Sequence, residues 1–313
     1  MQTPALPAKE CGPLLVLSLP KFESTTMKIL SRMTTCLLWW GLYVFPLLII
    51  CSSITAEEIP QPKNGVVLLS GGKAPPEAVW SEFRKLIEKS ELGKKLGVKV
   101  ALIPTGEEDF NAEGEEILKR LWMSRGGTEI IILHAANREA ASAKELRDIL
   151  RECSGVWIGG GKQEIISERY VGTPIETELV GFLNRGGVLA GNSAGAAVTC
   201  RVMIKKSKEG LPNEPEVGVG FPFLQKLVVD QHFSERKREE RLLKMLAENP
   251  GCFGIGVDER TAAVIFLGDG EFTGYAVGES NATLFHPVGV GNRSPNFCLP
   301  KDTQPVRLFQ FGN

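Results

Sequence analysis

Residues 66–103, VVLLSGGKAPPEAVWSEFRKLIEKSELGKKLGVKVALI, predict a strand, a helix and a second strand. The apolar runs Val66–Leu69 and Val98–Ile103 flank a segment with helical spacing, from Pro76 to Lys89. Apart from Lys99, both runs are continuously apolar, as in strands that helices cover on both faces of a parallel sheet. This stretch therefore indicates an α/β fold with right-handed crossovers.

The alternation of strands and helices continues to about residue 200. Further strands are expected at three apolar runs, which are Ile130–Leu133, Val156–Ile158 and Val188–Ala190. Further helices are expected at Glu115–Met123, Ala143–Glu152 and Thr173–Asn184. The later chain is richer in strands, at Leu227–Val229, Gly254–Val257, 262–267, 272–277, 282–286 and 306–311, with a charged helix at Glu235–Glu248. We predict one domain, residues 57–313, with a doubly wound, mostly parallel sheet and a β-rich C-terminal edge.

Composition and charge are those of an ordinary globular protein. The 313 residues are 43% hydrophobic and 23% charged, with a net charge of −1, which does not favour a nucleic acid as partner. The seven cysteines show no C-x-x-C spacing, so we expect no metal site. No cofactor pattern is present either, and we expect no cofactor.

The N-terminal 56 residues resemble a targeting segment rather than part of the fold. A basic stretch that begins at Met27 precedes the apolar run Cys36–Ile50, and small or polar residues lead to Ala56. This order is typical of a secretory signal peptide, with Met27 as a possible true start and cleavage after Ala56. The alternative is an uncleaved anchor formed by residues 36–54. We therefore expect an exported, periplasmic or extracellular protein.

The strongest local motif is G-x-S-x-G at Gly191, Ser193 and Gly195. It follows a predicted strand and precedes a predicted helix, which is the context of a nucleophile elbow. Glycines are needed there because the turn is tight and strained. The motif therefore indicates Ser193 as a nucleophile at the carboxyl edge of the sheet.

A nucleophilic serine requires a base, an acid that orients the base and an oxyanion hole. The base must come from the three histidines of the chain, which are His134, His232 and His286. His134 and His232 both follow predicted strands, so position alone does not separate them. The candidate acids are Glu259, Asp258 and Asp230. Backbone N–H groups of the glycine run that contains Gly160 and Gly161, together with that of Ala194, are predicted to form the oxyanion hole.

Four segments together resemble cyanophycinase and its relatives, which include peptidase E. They are Gly159–Gln163, Gly191–Ala196, the run Asp230–Phe233 with the following Arg236, Arg238 and Arg241, and Gly254–Ala262. Their order and spacing match the family over roughly residues 65–268. The resemblance implies a class I glutamine-amidotransferase-like (flavodoxin-like) fold and a homodimer. It also implies a triad of Ser193, His232 and Glu259.

The same resemblance implies a substrate pocket lined by Gln163, Asp230, Gln231, Arg236, Arg238 and Arg241. Arg236 does not share a helix face with Arg238 and Arg241, so it must lie in an irregular first turn to reach that pocket. The chain also departs from the family pattern, because Lys162 stands where an acidic residue is usual. A lysine there would repel an arginine side chain of the substrate and attract its carboxylates.

These observations predict an exported serine exopeptidase of the cyanophycinase type, acting on aspartate-linked peptides such as β-aspartyl-arginine polymers. The alternative enzyme is an aspartyl dipeptidase of the peptidase E type. An alternative from another class is a non-catalytic envelope binding protein on the same fold. Covalent labelling by a fluorophosphonate would separate an enzyme from a binding protein.

Overall fold

The computed structural model describes residues 59–124, 129–269, 271–287, 297–301 and 306–310. The predicted leader and anchor lie outside these residues. The described residues all belong to one compact unit. None of the helices within those ranges is both long and apolar enough to span a bilayer.

The first half of the unit alternates strands and helices. Its strands are β1 (Val66–Ser70), β2 (Lys99–Ile103), β3 (Glu129–Ile132), β4 (Gly155–Ile158) and β5 (Val188–Asn192). Its helices are α1 (Glu77–Lys89), α2 (Glu91–Leu96), α3 (Ala112–Met123), α4 (Arg138–Ala141), α5 (Lys144–Arg151), α6 (Gln163–Tyr170) and α7 (Pro174–Asn184). The five strands are mutually parallel in the order β1-β5-β4-β2-β3.

Helices cover both faces of this parallel sheet, as the continuously apolar strands predict. Successive strand residues point to opposite faces, so Leu68 and Leu102 pack with Phe83 of α1, whereas Val67 and Ile103 pack with Leu179 of α7. All of these side chains are buried. The prediction of a doubly wound, mostly parallel sheet is confirmed.

The second half contains α8 (Ala194–Ala197), β6 (Val202–Lys208), β7 (Leu211–Val219), β8 (Leu227–Gln231), α9 (Glu239–Glu248), β9 (Phe253–Val257), β10 (Thr261–Leu267), β11 (Glu271–Gly278), β12 (Ala282–Phe285), β13 (Phe297–Cys298) and β14 (Val306–Gln310). Strands β10, β11 and β14 extend the main sheet in antiparallel fashion beyond β1. Strands β8, β9, β12 and β13 form a separate four-stranded sheet. Strands β6 and β7 form a two-stranded sheet, so the β-rich part is divided among three sheets.

The hairpin β6–β7 was not predicted from the sequence. Along its two strands only Met203, Ile204 and Pro215 are buried, several apolar residues are exposed, and its turn contains Gly210 with a φ of 71°. A side-chain pattern of this kind carries little of the apolar signal on which strand prediction depends. The hairpin packs against α9 and lies beside the edge of the candidate site.

Two pairs of neighbouring parallel strands bring the predicted site residues together. Strand β5 ends immediately before Ser193, beside the end of β1. Strand β8 ends immediately before His232, beside the end of β9, which Glu259 follows. Carboxyl ends of parallel strands are where open α/β sheets place their sites. The fold therefore assembles the site from residues that are far apart in sequence.

Candidate active site

Ser193 occupies a sharp turn between β5 and α8. Its backbone has φ 52° and ψ −112°, a conformation that residues other than glycine rarely adopt. The flanking glycines have no room for a side chain, since a Cβ at Gly191 would collide with the Gly195 carbonyl and one at Gly195 with the Ile158 carbonyl. The Ser193 N–H donates to the Ser70 carbonyl at 2.9 Å, which fixes the turn to the end of β1.

A chain of hydrogen bonds runs from this serine to a carboxylate. Ser193 Oγ lies 2.9 Å from His232 Nε2, and His232 Nδ1 lies 2.8 Å from Glu259 Oε1. An ionised carboxylate can only accept, so Nδ1 must carry the donated proton and Nε2 is free to accept from the serine hydroxyl. The imidazole is therefore held in the tautomer that a general base requires.

The other two histidines lie away from Ser193. His134 Nδ1 is 3.2 Å from Thr105 Oγ1, and its ring packs against Phe110. His286 packs against the ring of Phe253. The ambiguity that the sequence leaves between His134 and His232 thus disappears, because only His232 reaches the serine among the residues that the structure describes.

The acids also separate by their partners. Asp258 accepts hydrogen bonds from the Ser234 N–H and the Ser280 hydroxyl, and it braces the loop that follows β9. Asp230 is fully buried and faces Arg241. Glu259 alone of the three contacts His232, and its second oxygen pairs with Lys73 Nζ at 2.6 Å.

The environment favours the neutral base and the ionised acid. The pKa of His232 lies below its usual value, mainly because the ring is buried. The hydrogen bond to Glu259 raises this pKa, and the charges of Arg236 and Arg238 lower it further. The hydrogen bonds from Lys73 and then His232 lower the pKa of Glu259. At neutral pH the site therefore contains a neutral imidazole beside a carboxylate.

The segment that follows β1 is a part of the site that the sequence reasoning missed. The His232 N–H donates to the Gly71 carbonyl at 2.7 Å, and the Asn192 side-chain amide donates to the Lys73 carbonyl at 3.2 Å. A Cβ on Gly72, whose φ is 117°, would collide with the His232 ring. The sequence signal was the glycine pair at a strand end, where close backbone approach is the usual reason for glycine.

The glycine run after β4 faces the nucleophile. A Cβ built on Gly160 would lie 3.6 Å from Ser193 Cβ, so this backbone passes directly beside the serine. Gly161 has a φ of 108° and is packed against the Gly106 carbonyl, and Ala194 begins α8 immediately after the serine. Gly160 and Ala194, two of the three predicted oxyanion donors, therefore flank Ser193.

Comparisons with known proteins identify the family of this chain. Residues 66–272 match the model of peptidase family S51. The chain belongs to peptidase family S51. It is 31% identical over 234 residues to a cyanophycinase of Trichormus variabilis, which covers 73% of this chain and 76% of that protein. It is 32% identical over 198 residues to a cyanophycinase of Geminocystis herdmanii, covering 52% and 72%.

A solved structure shares the fold. A peptidase from an acI-B1 Actinobacterium superposes with a TM-score of 0.61 at 22% identity, covering 79% of this chain and 98% of that one. Membership of family S51 and similarity to the cyanophycinases make this chain a serine-type peptidase, a hydrolase whose substrate is a peptide. The recognition made from the four sequence segments is confirmed.

Two residues that the resemblance places in the substrate pocket are buried and paired with each other. Asp230 is fully buried and accepts from Arg241 Nε at 3.0 Å and from Arg238 at 3.3 Å. Arg241 is also buried and donates to Ser207 of β6. In this geometry Asp230 and Arg241 therefore do not face a substrate. The reason is that a buried carboxylate needs a cation beside it, and a buried guanidinium needs an anion. Asp230 and Arg241 provide these for each other.

Of the other four predicted residues, Arg236, Arg238 and Gln163 lie nearer the surface. Arg236 is exposed in the turn that precedes α9, the irregular position that its spacing required, and Arg238 is half-buried. Burial lowers the pKa of Arg238 to about 10, so it stays cationic at neutral pH. Gln231 is buried, and the half-buried Gln163 donates to the Ile204 and Lys205 carbonyls, which anchors β6.

Lys162 has a partner of its own in this structure. Its Nζ lies 2.7 Å from Glu108 Oε1, and both side chains are more than half exposed. Glu108 offsets the positive charge of Lys162, and water screens what remains, so the exposed pair exerts only a weak electrostatic effect on a substrate. The substitution of a lysine at this position therefore changes the local charge less than the sequence alone suggests.

Proposed function

We propose that this S51 chain is an exported serine exopeptidase that hydrolyses aspartate-linked peptides through Ser193, His232 and Glu259. The observation that carries the proposal is the continuous chain of hydrogen bonds from Ser193 Oγ through His232 to Glu259. This constellation activates a serine hydroxyl in unrelated folds as well, so its role follows from geometry and not from one family.

The reaction would proceed through an acyl-enzyme. Ser193 Oγ attacks the peptide carbonyl while His232 Nε2 takes the hydroxyl proton, and the negative oxygen develops beside the N–H groups at Gly160 and Ala194. His232 then gives the proton to the leaving amine, and the carbon–nitrogen bond breaks. A water molecule, activated in the same way by His232, hydrolyses the ester and releases the acid.

The proposed aspartate preference is supported by the cations near the base. Arg236 and Arg238 are close enough to His232 to lower its pKa by their charge. Cations at this distance would attract a substrate carboxylate and hold it beside the scissile bond. The names of the similar proteins, cyanophycinases, point to the same class of substrate.

A product assay tests this proposal. Purified protein would be incubated with cyanophycin and, separately, with α- and β-aspartyl dipeptides, and the products identified by mass spectrometry. Release of β-aspartyl dipeptides from the polymer supports the cyanophycinase-type activity, whereas cleavage of aspartyl dipeptides alone indicates the dipeptidase. Binding of these peptides without turnover by protein of intact fold would contradict the enzyme reading and support a binding protein.

Export and dimer formation are parts of the same proposal. N-terminal sequencing of the mature protein is expected to begin near Glu57, and light scattering is expected to give twice the mass of the chain. Recovery of an N-terminus at Met1 or Met27 from the membrane fraction would instead support the anchor. A monomeric mass would contradict the dimer.

A further inference from the structure

An apolar cavity opens beside Ser193 on the side of the main sheet that α1 and α3 cover. Its volume is about 180 Å³, roughly the space of six water molecules in the liquid, which matches one large side chain. Three tryptophans from distant parts of the chain line it, Trp80 of α1, Trp122 of α3 and Trp157 of β4. Leu102, Leu118, Leu121 and Pro104 complete most of the apolar wall.

The tryptophans form a fixed cluster rather than a loose lining. Trp80 stacks on Trp157 with ring centroids 4.1 Å apart, and Trp122 meets Trp80 edge-on at 4.9 Å. The Trp80 indole N–H donates to the Pro75 carbonyl at 2.9 Å, so that polar atom is satisfied without a ligand. A rigid aromatic wall of this kind favours an apolar occupant, and above all an aromatic ring.

The cavity reaches the residues that flank the reacting serine. Gly160 and Asn192 line it, and Asn192 directly precedes Ser193. The Asn192 side chain is held in place, because it accepts from the Ser70 hydroxyl and donates to the Lys73 carbonyl. A peptide whose carbonyl reaches Ser193 beside Gly160 therefore has a neighbouring side chain within reach of this space.

The cavity wall offers a cationic side chain no buried counter-charge, because its one carboxylate lies at the mouth. Lys73 at the rim is already paired with Glu259, and Glu107 is an exposed residue at the mouth. An arginine side chain in the cavity would bring its guanidinium against tryptophan and leucine with no buried carboxylate to receive it. Burial of a charge without a partner is costly, so the cavity discriminates against arginine.

We propose that this cavity is a specificity subsite for an aromatic or large aliphatic side chain of the residue next to the scissile bond. The subsite rests on the proposed function, and it refines the substrate class from aspartate-linked peptides to peptides that join aspartate to an apolar residue. The exposed Arg236, in the turn before α9, receives the carboxylate, and the tryptophan cavity receives the apolar partner. One large side chain in an apolar pocket is worth about 10- to 100-fold in kcat/KM over alanine.

A dipeptide series tests the subsite. The series pairs aspartate, in α- and β-linkage and in both orders, with phenylalanine, leucine, alanine or arginine, and kcat/KM is measured for each. Leu121→Glu places a charge at the cavity wall, and Ile117→Glu places the same charge on α3 outside the lining; both positions are about half exposed, at 45% and 49%. We expect at least a ten-fold preference for phenylalanine over alanine, lost in Leu121→Glu and kept in Ile117→Glu.

Labelling of Ser193 by a fluorophosphonate, measured in parallel, separates this proposal from the one on which it rests. The subsite proposal is contradicted, and the assignment of the nucleophile is kept, if the protein is labelled but prefers alanine or arginine. The same holds if the labelled protein shows no preference or cleaves none of the series. An equal loss of preference in both variants also overturns it. Protein that neither labels nor cleaves any of these peptides overturns both proposals.

Discussion

The two sides of Ser193 are built in opposite ways. On one side, His232 is held by backbone hydrogen bonds and by Glu259, and the end of β8 that precedes it carries the buried cluster of Asp230 with Arg238 and Arg241. On the other side, the cavity has an apolar wall shaped by the packing of three tryptophans. Directional hydrogen bonds hold the base, whereas packed apolar rings form most of the cavity wall.

This difference separates chemistry from selectivity. A change on the histidine side should alter turnover or stability for every substrate, because the base is placed by contacts that no substrate supplies. A change on the tryptophan side should alter which peptides are cleaved and leave the reactivity of Ser193 intact. The predictions below test the histidine side, in order of decreasing expected effect.

Loss of the base should have the largest effect. His232→Ala is expected to lower kcat by a factor of about 10³ to 10⁴, with little change in melting temperature. His134→Ala is the matched control, since it removes a histidine that contacts Thr105 and Phe110 and not the serine. It should lower the melting temperature and keep the rate. The opposite pattern would show that the base is assigned to the wrong residue.

Removal of the buried carboxylate should destabilise the fold. Asp230→Asn leaves Arg241, which is only 4% exposed, without its counter-charge, and the expected loss is about 3 to 5 kcal/mol in the free energy of unfolding. Asp148→Asn removes an exposed partner of Lys144 and Arg151, and about 0 to 1 kcal/mol is expected. Urea denaturation measures both. Similar values for the two variants would contradict a supporting role for the buried cluster.

Crowding of the base should reduce turnover without removing any functional group. A methyl group in Gly72→Ala would collide with the His232 ring, and a displacement of about 1 Å is expected to cost about 10² in kcat. Gly97→Ala controls for backbone strain, because Gly97 also has a positive φ, 73°, but has open space around its Cβ position. Equal rates in Gly72→Ala and the wild type would mean that the loop after β1 does not position the base.

Loss of the lysine on Glu259 should shift the pH dependence. Without Lys73 the negative charge of Glu259 is no longer neutralised, so the pKa values of both Glu259 and His232 should rise. Activity requires the neutral base, so the acid limb of kcat/KM should move to higher pH in Lys73→Met. Lys63→Met, which breaks the exposed pair with Asp269, should leave the limb in place. A shift to lower pH, or none, would contradict the electrostatic role of Lys73.

Much of the fold was readable from the sequence because its signals are local. Continuous apolar runs such as Val66–Leu69 reported that both faces of a strand are covered, and the glycines around Ser193 reported a turn without room for side chains. The family resemblance then indicated which histidine and which acid belong with Ser193. The strand and turn patterns depend only on residues that are neighbours in sequence, so they can be predicted without knowledge of the tertiary structure.

Apart from the hairpin β6–β7, whose apolar pattern is weak, the unpredicted features depend on contacts between distant segments. Asp230 and Arg241 were expected to face the substrate, but their mutual burial is visible only once β8 and α9 pack together. The tryptophan cavity combines residues 80, 122 and 157, and no pattern in the sequence links them. The role of Gly72 likewise requires His232, 160 residues later in the chain, to lie against it.

The central claim is that Ser193 is the nucleophile that His232 activates, and active-site labelling tests it most directly. Wild-type protein would be treated with a fluorophosphonate, its intact mass determined and the modified peptide sequenced. We predict the addition of one probe, located on Ser193, and no labelling in Ser193→Ala that retains the wild-type circular dichroism spectrum. Labelling of folded Ser193→Ala, or a modified residue other than Ser193 in the wild type, would contradict the account.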